Sequence, residues 1–329
     1  MIEKTGLRKF LFILYLFVLT TLLFILYLHL SVNDRFSPFL SPFDQTAQRP
    51  FVYRVLPSLI IDFLSFLTGT PSTICAILLM YFSLLGFFAV YSLLVKLFIP
   101  KINLFFSLVF PAIGLIPFLI QSRHVYDFPL LLLYTFAYYL LEKREFGKYT
   151  VIFLLASLTK ETALFLVLFF ALHFRGLTKK QYFATLVRQA LIFGLVRGIL
   201  MIAFLDNPGS MVQYHFIDHI HSFFVHPFAA IGFYALIILI FVLGLTYRGT
   251  HASFIKDAFL AIGIPIAALY MFFGVPFEIR VFLELFPVIA LLLSLKLVSF
   301  FGNTRSKPKE MLENSSLGTS TMHKTQPRR

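Results

Sequence analysis

The sequence predicts an all-α fold, a polytopic transmembrane helical bundle, from three observations. Hydrophobic residues make up 59% of the 329 and charged residues only 13%. The apolar residues gather in runs of membrane-crossing length. Lys and Arg cluster between alternate runs rather than evenly along the chain. A water-soluble domain needs a mostly polar exterior, and too few polar side chains exist here to cover one.

The elements follow from a crossing length of about 20 apolar residues. On that ruler, spans fall at 10–30, 71–98, 102–121, 126–142, 184–205, 227–246, 257–275 and 281–300. The first run follows Lys4, Arg8 and Lys9 and is longer than a signal-peptide core of about 7–15 residues. With no small-x-small cleavage site after it, it reads as an uncleaved first span. Residues 51–68 are apolar but hold Arg54, Pro57 and Asp62, which suits a helix lying at the outer interface. Residues 149–174 form one apolar run interrupted by Lys160-Glu161-Thr162. Two short helices turning at that tripeptide return Arg175, Lys179 and Lys180 to the cytoplasm, and a broken helix is tolerated where protein surrounds the break. About ten membrane helices result, plus the interfacial one. Residues 1–301 form the membrane domain, and 302–329, rich in Ser, Thr, Lys and Pro, form a disordered cytoplasmic tail.

Charge orients this bundle. The segments 1–9, 96–101, 142–148, 175–188, 247–257, Lys296 and the tail hold 21 of the 28 Lys and Arg. The opposite loops hold Arg35, Arg49, Arg54, Arg123, Lys160 and Arg280, while Arg197 falls within a span. That asymmetry places both termini in the cytoplasm. It also accounts for the net charge of +13 without nucleic acid as a partner. Forty-four Phe and no Trp suit lipid contact, with fifteen Tyr left as interface anchors. The single cysteine, Cys75, allows no intramolecular disulfide.

Acids collect on the outer side: Asp34, Asp44, Asp62, Asp127, Glu161, Asp206, Asp218, Glu278 and Glu284. Ionisable groups at membrane depth are costly and mark polar cavities or pathways. Lys160-Glu161 and Glu278, Arg280 and Glu284 are flanked by apolar sequence on both sides, so they are the best candidates for such a cavity. The i, i+4 spacing of Arg280 and Glu284 also allows a simple intrahelical ion pair. In the first outer loop, Asp34 or Asp44 could deprotonate a hydroxyl, with Arg54 nearby to bind a phosphate diester. In HFIDHIHSFFVH, His215, Asp218 and His219 share a helical face at a spacing that a divalent metal can use. No phosphate-cradling glycine loop, nucleophile elbow or HExxH is present. The interrupted 149–174 run and mid-span Arg197 keep open a transporter or flippase for a lipid-linked or small polar substrate. A membrane assembly protein without a site is the third reading.

Three stretches carry a family resemblance: Pro50 to Pro57 (PFVYRVLP), Leu158 to Ala163 (LTKETA), and Glu278-Ile279-Arg280 with Glu284 to Pro287. With a charged loop after the first span, they resemble the multi-spanning GT-C-type glycosyltransferases and the bacterial integral membrane proteins grouped with them. The likeness covers roughly residues 10 to 300. It implies transfer of a sugar from a polyprenyl-phosphate donor at the outer face of a bacterial inner membrane. It implies Asp34 or Asp44 as the catalytic base, Arg54, Lys160 and Arg280 as phosphate contacts, and Glu161 and Glu278 beside the substrate. The partners implied are membrane lipids and a lipid-linked sugar. The chain departs from the family in its short first loop, the lack of a paired acidic dipeptide there, and the lack of a soluble C-terminal domain.

Overall fold

A computed structural model describes residues 2–30, 48–120, 124–210, 213–249 and 251–300, and among these there is helix and turn but no strand. Helix α1 (Ile2–Leu30) is followed by α2 (Val55–Thr68), which a 3₁₀ turn at Phe51–Tyr53 introduces. Gly69, in the left-handed region at φ 68°, ends α2 by donating its N–H to Ser65 O, a conformation that favours glycine. Then come α3 (Ser72–Phe98), α4 (Leu104–Leu119), α5 (Asp127–Glu142) and α6 (Phe146–Thr159). The Asn103 side chain caps α4 by accepting the Phe105 N–H. Helix α4 tolerates Pro111 and Pro117 in its interior.

The core is built around α5. Twelve of its 16 residues are buried, so this helix is apolar all round, as a helix with neighbours on every side must be. It packs along α3 and α6. On α3, Gly86 permits close approach: a β-carbon there would stand 3.1 Å from Leu132 Cδ2 on α5.

After α6, a 3₁₀ turn at Glu161–Ala163 leads into α7 (Leu164–His173). The chain reverses at this turn. The Phe146 ring at the start of α6 lies 5.9 Å from Phe170 and from Phe174, at the far end of α7. One straight helix would hold those residues roughly 40 Å apart, at about 1.5 Å per residue. The expected broken pair is therefore present, with the Lys-Glu-Thr tripeptide at its tip.

Helix α8 (Lys179–Ala203), capped by Thr178, packs against α6 and α7. Helix α9 (Phe216–Val225) is short and lies against α10 (Pro227–Leu245) and α12 (Ile264–Phe273). Between α11 (Ala252–Ala258) and α12, residues 259–263 wind as a π-helical turn, so the expected 257–275 span is one rod with a local bulge. Opposite the bulge, the Gly244 position on α10 leaves no room for a β-carbon beside the Phe259 ring. Helix α13 (Phe286–Phe300) closes the described chain.

Among the described residues, five stretches are long and apolar enough to cross a membrane: Gly6–Leu30, Ser72–Phe98, Lys179–Ala203, Pro227–Leu245 and Ala252–Phe273. Helices α2, α4, α6, the 161–173 stretch and α13 are apolar but shorter. Large apolar side chains stand exposed along α8 (Leu191, Leu195, Ile199, Ile202) and α10 (Phe228, Ile231, Ile238). So much apolar surface facing outward marks a protein that lives in lipid.

Candidate functional site

Seven of the charged residues singled out in the sequence come together at one end of the bundle. Each is delivered by an interruption or an end of a helix. Arg54 occupies the N-cap of α2, Asp127 is the first residue of α5, and Lys160 with Glu161 forms the tip of the α6–α7 pair. Glu278, Arg280 and Glu284 come from the turns between α12 and α13. Backbone breaks allow this geometry, since side chains at such points can reach inward without competing with a helix ladder.

Four ion pairs on three cations organise the cluster. Arg54 Nη2 is 2.8 Å from Glu161 Oε1, and the guanidinium lies over the rings of Tyr126 (4.5 Å) and Phe51 (5.0 Å). Lys160 Nζ is 2.7 Å from Glu284 Oε1, an oxygen that also accepts from Thr162 Oγ1 at 2.8 Å. Arg280 pairs closely with Glu278 through Nη2, and its Nη1 is 3.5 Å from Asp127 Oδ2. Asp127 interacts electrostatically with Lys160, Glu278, Arg54 and Glu284, which ties these pairs into one centre. Two buried tyrosines brace it from below: Tyr134 donates to Thr162 O (2.6 Å) and Tyr138 to Glu284 O (3.0 Å).

Burial shapes the basicity of the two arginines in opposite ways. For Arg54, burial lowers it, but its surroundings, Glu161 first and then Tyr126 and Asp127, together outweigh that loss and raise it. For Arg280, burial is the main influence and lowers it, and the Arg54 charge acts in the same sense. Both remain guanidinium ions near neutral pH. Several atoms of the centre have hydrogen-bonding capacity to spare: Arg54 Nε, Arg280 Nη1, Glu161 Oε2 and Glu284 Oε2 are buried without a hydrogen-bond partner. Buried polar atoms left open in this way are exceptional and call for water, an ion or a ligand.

Of the residues expected from the sequence, Arg54, Lys160, Glu161, Glu278 and Arg280 converge. Asp34 and Asp44 lie outside the described residues, as does the 302–329 tail. The alternative of an Arg280–Glu284 pair is not formed, because residues 279–282 wind as a 3₁₀ turn and the i, i+4 positions do not face each other. In the sequence Asp127 reads only as an outer acid, whereas Glu284 already stands among the cavity candidates. Their signal was an apolar run starting at the carboxylate for one and surrounding it for the other.

The histidine segment behaves differently. His219 Nε2 donates to Tyr270 O (3.0 Å) and Gly274 O (2.9 Å), which leaves Nδ1 to accept from the Tyr234 hydroxyl. His215 Nδ1 bonds Asp218 at 2.7 Å. The buried His219 thus pins α9 to α10 and α12, with both ring nitrogens occupied. Among the described residues no group of three or more His, Cys, Asp or Glu is placed to hold a metal. Arg197 is likewise engaged, with Nη2 donating to Ser157 O (2.8 Å) and Nη1 to Tyr53 O (3.4 Å). It caps the end of α6 and the 3₁₀ turn, so the mid-span charge serves the scaffold of the site.

No family model, curated protein or solved structure matches this chain.

Proposed function

We propose that the chain is a GT-C-like membrane glycosyltransferase that moves a sugar from a polyprenyl-phosphate donor to an acceptor hydroxyl at the outer face. In this reading about ten helices lie in the membrane, by the span-length ruler. The α2 helix rests at the outer interface, both termini are cytoplasmic, and the membrane is a bacterial inner membrane. The observation that carries it is the gathering of Arg54, Lys160 and Arg280 with four carboxylates at one end of a lipid-facing bundle, with buried polar atoms still open.

The chemistry needs few parts. A carboxylate, Asp34 or Asp44, takes the proton of the acceptor hydroxyl. The acceptor oxygen bonds the sugar C1, and the C1–O bond to the phosphate breaks with its electron pair on that oxygen. Polyprenyl phosphate leaves, its charge held by guanidinium groups, whose fork matches phosphate geometry. Glu161 and Glu278 line the substrate.

Purified protein in nanodiscs, supplied with radiolabelled polyprenyl-phosphate sugars, tests this. Asp34→Asn or Asp44→Asn should cut transfer by at least about 100-fold, the scale of a lost general base. Full activity in both variants, or no binding of any polyprenyl-phosphate sugar, would sink the assignment. Transport is less well supported, because Arg197 is held by two backbone carbonyls.

A further inference from the structure

Within the charged centre, Glu161 is unlike the other carboxylates. Its side chain is 42% exposed, against 12% for Asp127, 17% for Glu278 and 0% for Glu284. It sits on the single 3₁₀ turn at the tip of the α6–α7 pair. Positive charge reaches it from Arg54, Lys160 and Arg197 together. Two of those cations have other partners: Lys160 is held by Glu284, and Arg197 by two carbonyls. If Glu161 swung away, Arg54 would keep no hydrogen-bonded carboxylate among the described residues, with Asp127 still acting on it at longer range. The Arg54 guanidinium could not follow, because it is nine-tenths buried and lies over the rings of Phe51 and Tyr126.

The Arg280 half of the centre has the opposite balance. One guanidinium there faces two carboxylates, Glu278 and Asp127. With Glu161 displaced, the Arg54 side is the less negative of the two towards an incoming dianion.

We propose that the Glu161 carboxylate is a built-in stand-in for a phosphate ester: it occupies the anion position on Arg54 in the resting protein and swings out when phosphate arrives. This rests on the glycosyltransferase reading and adds to it the place of the donor phosphate and a gate at that place. The fixed guanidinium is a preformed half of the site. A tethered anion lowers apparent affinity by the fraction of time it occupies the position.

The test measures binding of polyprenyl phosphate, and separately inorganic phosphate, to the full chain in nanodiscs of neutral phosphatidylcholine. Glu161→Gln should bind polyprenyl phosphate about tenfold more tightly than the unaltered protein. Glu161→Asp, which keeps the charge, should show a smaller gain, and Arg54→Gln should lose binding. If Glu161→Gln does not fold, Glu161→Ala carries the same expectation. Equal or weaker binding by the neutral variants, while the unaltered protein binds, overturns the stand-in and leaves the glycosyltransferase reading intact. A gain for inorganic phosphate as large as for the lipid supports the stand-in but assigns the position to free phosphate, which overturns the lipid-linked donor. No binding by any form overturns both.

Discussion

At the residue scale, Glu284 shows why the charges of this centre depend on each other. Its side chain is fully buried, and one oxygen holds both Lys160 and Thr162. Removing one member of a buried pair strands the other charge, which costs about 3–5 kcal/mol. Glu284→Gln should therefore lower stability by about that amount in thermal unfolding of detergent-solubilised protein. The double variant Lys160→Met, Glu284→Leu should recover most of the loss, since an apolar pair of similar volume avoids the desolvation cost. If the double variant were as unstable as the single one, the pair would not be acting as a unit. The apolar flanks of Lys160 and Glu284 were legible in the sequence; that the two meet across 124 positions was not.

At the element scale, the breaks matter more than the helices. The α6–α7 pair turns at Lys160-Glu161-Thr162, as charges too costly for mid-membrane burial require unless protein surrounds them. The lower ends of three elements are then tied by His173, whose Nδ1 is 2.7 Å from Asp257 Oδ2 on α11 and whose Nε2 is 3.1 Å from Glu142 Oε1 at the end of α5. The π-helical turn at 259–263 is packed by contacts with α10 that the local sequence does not show. Phe259 is pressed against Gly244 and meets the Phe241 ring edge-on at 5.4 Å. Gly244→Ala should overpack this contact and cost about 1–3 kcal/mol. Phe259→Leu in the same chain should restore unfolding temperature, and a Gly244→Ala protein as stable as the parent would show that the close approach is not required.

At the scale of the whole molecule, the placement of the charged centre on the outer side follows from the proposed orientation. In a Cys75→Ser background, Tyr214→Cys near α9 should react with a membrane-impermeant maleimide applied to intact cells. Lys148→Cys at the start of α6 should react only after permeabilisation. Labelling in the reverse order would invert the bundle and put the centre in the cytoplasm. The exposed apolar belt on α8 and α10 is indifferent to this outcome, because lipid contacts both orientations alike.

The sequence by itself determined the helical class, the positions of the apolar runs and the break at 160–162. Those properties depend on the composition and period of contiguous residues, which solvation by lipid reads directly. Only the tertiary structure decided which charges pair. Arg54 joins Glu161 across 107 positions, Lys160 joins Glu284 across 124, and Arg280 turns to Asp127 and Glu278 rather than to its i+4 neighbour. Ion pairing is chosen by distance in three dimensions and by which partner remains desolvated, and neither quantity is written in local sequence.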